Sequence, residues 1–244
     1  GRLKSMHDDV TRLVMVRHGE TAWNRETRIQ GHTDIPLSEH GRWQARQVAR
    51  ALADEGLHAI YSSDLMRAAD TALAVAEVCG LPLQLDPQLR ERHFGIFEGL
   101  THDEIMTRHP QEGRRWRERD PEYGPQGGET LTDFYDRVVG AALRLAQAHR
   151  GQTIALVAHG GVLDCFYRAA THVGLTTPRS WKITNASVNR LILTDQGFGL
   201  VGWADTRHLE QEGQAAMDEG SDGTVNGGLN PAMSMSRACS PEAN

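Results

Sequence analysis

Cysteine is scarce. Cys79, Cys165 and Cys239 are the only three, odd in number and far apart, which argues against a disulfide framework or a thiolate metal site and fits a reducing cytoplasm. Long apolar runs are missing: none approaches the ~18 residues of a membrane span. The polar opening, Gly1 to Asp9, has no signal-peptide pattern, so no membrane partner is expected. Net positive charge is missing as well. The 244 residues carry a formal charge of −6, which speaks against a nucleic-acid binder, because phosphate backbones are held by a large positive face. Any positive charge that matters is expected to be local. Twelve histidines show no His-Glu-x-x-His spacing, so a metal hydrolase has little support and no metal is expected. What is present is 39% apolar residues, enough for a substantial core in one large domain or two small ones.

The first half is organised around Leu13 to Thr21. Leu13, Val14, Met15 and Val16 read as a buried strand, and the polar residues and glycine that follow put Arg17 and His18 at its carboxyl end. Ligands bind at that end of an open α/β sheet. Guanidinium offers a planar fork of donors and imidazole a nucleophilic nitrogen, a combination that suits phosphate. Alone, the tripeptide is weak evidence, because a histidine at a strand end is more often a structural hydrogen-bonder.

Thr21 to Pro36 reads as a loop carrying Asn24, Arg28, Gln30 and His32. Ser38 caps a helix running toward Gly56, and His58 to Ser63 is a short strand. Asp64 is placed to cap the next helix, whose apolar stripe runs from Leu65 to Val78 before Gly80. Arg67 in its first turn opposes the helix dipole. It needs a negative partner, either Asp64 or Asp70 or an anion shared with Arg17. Glu91 lies among Arg90, Arg92 and Phe94 and reads either as a general acid/base or as a surface glutamate paired to those arginines. Thr101 and Glu104 form a capping box. Arg114, Arg115, Arg117 and Arg119 form a basic cluster, suited to a charged substrate or to a solvated helix face.

A long amphipathic helix from Leu131 to His149 leads to a second apolar strand, Thr153 to Ala158, which ends in His159, Gly160 and Gly161 and is followed by a helix to about Thr171. Two strands that each deliver a histidine before glycine would meet at one sheet edge, where glycine lets backbone N–H groups approach an anion. Val188 to Thr194 and Phe198 to Trp203 read as a hairpin, whose edge offers pairing with a second copy. The tail from about Gln211 has the composition of a disordered segment.

These residues together resemble the histidine phosphatases, the phosphoglycerate mutase-like superfamily. The matches are Arg17, His18, Gly19, Glu20, Thr21 with Asn24; Gln30, Gly31 with Asp34, Pro36, Leu37 and Ser38; Ser62, Ser63, Asp64 with Arg67, Ala68 and Thr71. They continue through Leu89, Arg90, Glu91, then Gly95, Glu98, Gly99 and Leu100, then Gly127 to Thr130, and end at His159 and Gly160. The resemblance spans about Arg12 to Leu209.

It implies an α/β three-layer sandwich with a mostly parallel central sheet, no metal or other cofactor, and a small cap from an insertion. The implied division is a flexible start over 1–10, a phosphatase domain over 11–209 with its cap within 94–128, and a disordered tail over 210–244. It implies His18 as the nucleophile that takes the phosphoryl group, Glu91 as general acid/base, and Arg17, Arg67 and His159 as the phosphate pocket. Asn24, Gln30, Gly31 and Gly160 would add substrate contacts. The expected partner is a small phosphorylated metabolite. Gln30, the short segment between Leu100 and Gly127, and Phe97-Glu98-Gly99 resemble the broad-specificity phosphatase branch. Glu91 to Gly95 is similar to the mutase version of its motif, so phosphoglycerate mutase stands as the alternative, with a catalytically silent binding module as a remoter one.

Overall fold

The computed structural model describes residues 9–210. The expected disordered tail and all but the last residues of the expected flexible start lie outside them. Six strands form one sheet: β1 (Thr11–Arg17), β2 (Ala59–Ser62), β3 (Leu83–Leu85), β4 (Thr153–Ala158), β5 (Val188–Thr194) and β6 (Gly197–Asp205), in the order β3-β2-β4-β1-β5-β6. The first four run parallel, and β5 and β6 are antiparallel. The α/β class and the mostly parallel sheet agree with the sequence reading, and β6 is an edge strand.

Side chains alternate across a strand, and the two apolar runs show the result. Leu13 and Met15 of β1, with Ile154, Leu156 and Ala158 of β4, pack against α6 (Leu131–Gln147) and α7 (Gly160–Thr171). Val14 and Val16, with Ala155 and Val157, pack instead against α2 (Glu39–Leu52) and α3 (Met66–Cys79). With both faces covered, these strands must be apolar throughout, which is why they read as continuous runs. A third cluster, Ile29, Phe94, Phe97, Ile105, Trp116 and Tyr123, lies apart from the sheet. It contains α4 (His102–Arg108) and α5 (Pro110–Arg117), and α4 opens with the expected Thr101–Glu104 capping box.

Three local expectations change. Thr21 to Pro36 is not wholly loop: α1 (Ala22–Arg25) forms because Thr21 and Asn24 make a reciprocal capping box. α2 starts after Ser38 as expected but stops at Leu52. Asp64 does not cap α3, whose N-cap is Leu65 with no side-chain bond. Its carboxylate is gripped by Arg90 through bonds of 2.6 and 2.7 Å, and two charge-assisted bonds outweigh one cap bond. Asp34 Oδ1 accepts from Met66 N–H in its place, at 2.8 Å. Among the described residues no helix is long and apolar enough to cross a membrane.

Candidate active site

β1 and β4 are neighbours with Arg17 opposite Ala158, so the residues that follow them emerge side by side. His18 N–H donates to Ala158 O at 3.0 Å, and the His18 and His159 rings lie 5.2 Å apart at 60°. His18 Nδ1 is 2.6 Å from Gly19 O. A carbonyl can only accept, so Nδ1 carries the proton and Nε2 keeps its lone pair. His159 Nε2 lies 2.8 Å from Ser63 Oγ, at the carboxyl end of β2. Gly160 and Gly161 open α7 directly after His159. Gly19 N–H donates to Thr71 Oγ1, whose hydroxyl donates to Arg67 O, which ties the end of β1 to the first turns of α3.

Two arginines join this strand edge. Arg17, 1% exposed, donates from Nη1 to Ile183 O at 2.5 Å. Arg67 is wholly buried and donates to Thr33 O at 2.8 Å and Gly31 O at 2.7 Å. Asp64, one of its expected partners, is engaged by Arg90, which holds the aspartate below the ordinary carboxylate range. Asn24 and Gln30 are buried beside Thr21: Asn24 Oδ1 accepts from Thr21 N–H, and Gln30 Oε1 from Thr21 Oγ1 at 2.7 Å. That bond fixes the Gln30 amide and leaves its buried Nε2 without a hydrogen-bond partner. Gly31 has a φ of +55°, and a side chain there would run into the Glu98 carboxylate. Glu98 accepts from His32 N–H, Thr33 Oγ1 and Phe94 N–H, which joins the Gln30–Thr33 loop to the insertion.

Glu91 is buried rather than a surface residue. Its Oε1 accepts from Arg92 N–H and its Oε2 from Gly161 N–H, both at 3.0 Å, so one oxygen sits at the start of α7, two residues past His159. The Glu91 carbonyl lies 2.9 Å from His32 Nε2, in a ring stacked 4.4 Å from His93. Burial, then the His93 charge, lowers the pKa of His32. Glu129 holds the same loop from behind, bonding His93 N–H and pairing with Arg137.

The basic cluster divides. Arg114, Arg115 and Arg117 are exposed, and Arg115 pairs with Asp120. Arg119 turns inward to the buried Asp164. Sequence reasoning missed the segment Ile183–Ser187, which braces two of the catalytic candidates, Arg17 and His18. Ala186 N–H bonds the carbonyls of Arg17 and His18 at 2.9 and 3.1 Å. Asn185 Nδ2 reaches His18 O at 3.1 Å and Asn24 Oδ1 at 3.2 Å. The available signal was the short polar run Thr184, Asn185 and Ser187 just ahead of a strand. Asp164 was missed too, as an acid inside an otherwise apolar helix.

A model of the histidine phosphatase superfamily, branch 1, matches residues 13–206. Phosphoglycerate mutase-like protein 4 of Arabidopsis thaliana is 39% identical over 227 residues, 91% of this chain and 97% of that protein. A metal-independent phosphoserine phosphatase of the same plant is 39% identical over 212 residues, 85% and 87% of the two chains. Among solved structures, Bacillus stearothermophilus YhfR superposes with a TM-score of 0.77 at 35% identity, covering 82% of this chain and all of that one.

Proposed function

The chain belongs to the histidine phosphatase superfamily and hydrolyses phosphomonoesters, and from that premise we propose that it does so through a phosphohistidine on His18 Nε2. The observation that carries this reading is the 2.6 Å contact from His18 Nδ1 to Gly19 O, which presents Nε2 as the nucleophile. In the first half-reaction Nε2 forms the N–P bond as the ester P–O bond breaks, and Glu91 gives its proton to the leaving alkoxide. In the second, water attacks phosphorus, Glu91 takes the water proton, and the N–P bond breaks to return neutral His18. Arg17, Arg67 and His159 hold the three equatorial oxygens, where fixed cations stabilise the spreading charge without reorganising. Asn24, Gln30, Gly31 and Gly160 line the same pocket, and the buried Gln30 Nε2 is a donor suited to a phosphate oxygen.

The reading extends to the rest of the chain. Residues 94–128 act as the cap of a domain over 11–209, supported by their share in the third apolar cluster. The substrate is a small phosphorylated metabolite, the class to which the phosphoserine of one relative belongs. Neither nucleic acid nor membrane is a partner. The free thiols of Cys79 and Cys165 support a cytoplasmic setting.

The test is phosphate release from a panel of phosphomonoesters in EDTA, with wild type beside His18→Ala. Release by the wild type is expected to survive chelation, and His18→Ala is expected to lose at least ~10³-fold in kcat, the scale seen when a nucleophile is removed. Wild-type enzyme should also trap phosphate in an acid-labile, base-stable form. Full activity in His18→Ala would sink the mechanism. Exchange between 2- and 3-phosphoglycerate without release would establish the mutase instead.

A further inference from the structure

The two histidines at this strand edge meet hydrogen-bond partners of different kind. His18 Nδ1 faces Gly19 O, which can only accept. His159 Nε2 faces Ser63 Oγ at 2.8 Å, and a hydroxyl can give one proton as well as accept. Which it does here follows from the other bonds of Ser63. Its Oγ accepts from Leu65 N–H at 3.2 Å, its own N–H donates to Val157 O at 3.1 Å, and its carbonyl accepts from Ser62 Oγ. None of these uses the hydroxyl proton. Ser63 and His159 are wholly buried, and among the described residues the acceptor that remains for that proton is His159 Nε2. The reverse bond, from Nε2–H to Ser63 Oγ, would leave a buried hydroxyl proton with nothing to bond, a costly arrangement.

We propose that Ser63 is a positioning residue for the phosphoryl transfer: its hydroxyl donates to His159 Nε2 and so fixes the proton of a neutral His159 on Nδ1. The inference rests on the phosphatase reading above and deepens it. In a neutral imidazole one nitrogen donates and the other accepts, so the partner of one sets the state of the other. The two rings, 5.2 Å apart, are thus held in the same tautomer for opposite purposes. His18 is tied through its protonated nitrogen and keeps a lone pair to attack phosphorus. His159 is tied through its lone pair and keeps a proton for a phosphoryl oxygen. Positive charge is left to the buried Arg17 and Arg67, and no third buried cation has to be accommodated beside them. The same oxygen, through Leu65 N–H, holds the N-cap of α3, the helix that carries Arg67. One hydroxyl therefore sets donors that come from β4 and from α3.

The direct test needs no variant. Nitrogen-15 NMR of histidine-labelled wild type, near pH 7 in phosphate-free buffer, should show the His159 ring with Nδ1 protonated and Nε2 bare, the signals being assigned by their loss in His159→Ala. Ser63→Ala should lower kcat by at least ~10-fold, and the loss should disappear in a His159→Ala background, as a double-mutant cycle requires of groups that act through one another. Ser63→Thr keeps the hydroxyl and should keep both the tautomer and most of kcat. Circular dichroism checks that each variant is folded. A proton on His159 Nε2, alone or together with one on Nδ1, overturns the assignment. Equal losses from Ser63→Ala in the two backgrounds overturn it as well, since Ser63 would then act through α3 alone. Absence of phosphate release from p-nitrophenyl phosphate by the wild type overturns the phosphatase reading and the role of Ser63 with it, an outcome told apart from the others because the NMR signature is read without turnover.

Discussion

Asn185, which has no part in the proposed bond-making, is expected to limit the proposed reaction through the placement of His18. Its amide spans the carbonyl of His18 and the side chain of Asn24, and it is wholly buried. Asn185→Asp keeps the shape but sets an acceptor against two acceptors. Removing a buried donor costs about 1–3 kcal/mol, and part of that cost will be met by displacement of His18. Since a shift of ~1 Å in a reacting group is worth about 10²-fold, kcat should fall by ~10- to 100-fold. KM should change by much less, because Arg67, proposed to hold phosphate, is bonded away from this segment, to Gly31 O and Thr33 O. A fall in kcat/KM carried wholly by KM would show that Asn185 serves binding rather than placement of His18.

Elements differ in how far the sequence announces them. β1 and β4 were legible because two covered faces demand unbroken apolar runs, and the β5–β6 hairpin because Asp195-Gln196-Gly197 interrupts two strand-like stretches. The Ile183–Ser187 brace was not legible: its bonds to Arg17 and His18 span more than 160 residues, and it has no period of its own. Arg119 parted from its cluster for a similar reason, since its aspartate lies 45 residues away and its direction is set by one left-handed residue. Asp64 could be read as a cap because nothing local reveals Arg90. Glycines in helices show the same limit. Gly→Ala inside a helix ordinarily gains about 0.5–1 kcal/mol, and Gly140 in α6, where an added Cβ meets nothing within 4 Å, should follow that rule. Gly41 near the start of α2 should reverse it. A Cβ there would collide with the Glu20 carbonyl and come within 2.9 Å of Glu20 N. Backbone two residues beyond His18 cannot yield as a side chain can, so overpacking of about 1–3 kcal/mol wins. Urea midpoints should therefore rise for Gly140→Ala and fall for Gly41→Ala. A rise for both would mean that the β1–α2 junction is softer than its contacts indicate.

The molecule as a whole should be sensitive to acid, because two sets of groups act in the same direction. Burial is the first cause that lowers His32 and His208 from the ordinary 6.5. In this range the unfolded chain binds more protons than the folded one, so stability rises with pH and is lost as pH falls below 6.5 toward the folded values. The carboxylates follow lower down. Arg90 lowers Asp64 from 3.8, and Arg207 does the same for Asp205. For Glu129 and Asp164 burial works upward, but Arg137 and the Arg168–Arg119 pair respectively outweigh it. The stability these carboxylates contribute is present above about 4.5 and lost as pH drops through their depressed values. Urea midpoints measured from pH 8 to pH 3 should thus hold level to about 7, decline through 6 and 5, and decline again below 4.5. His208→Gln should make the upper decline shallower, leaving the share of His32, and should leave the lower one, since Gln has no proton to gain. Equal slopes in the two proteins would place the acid sensitivity elsewhere in the fold.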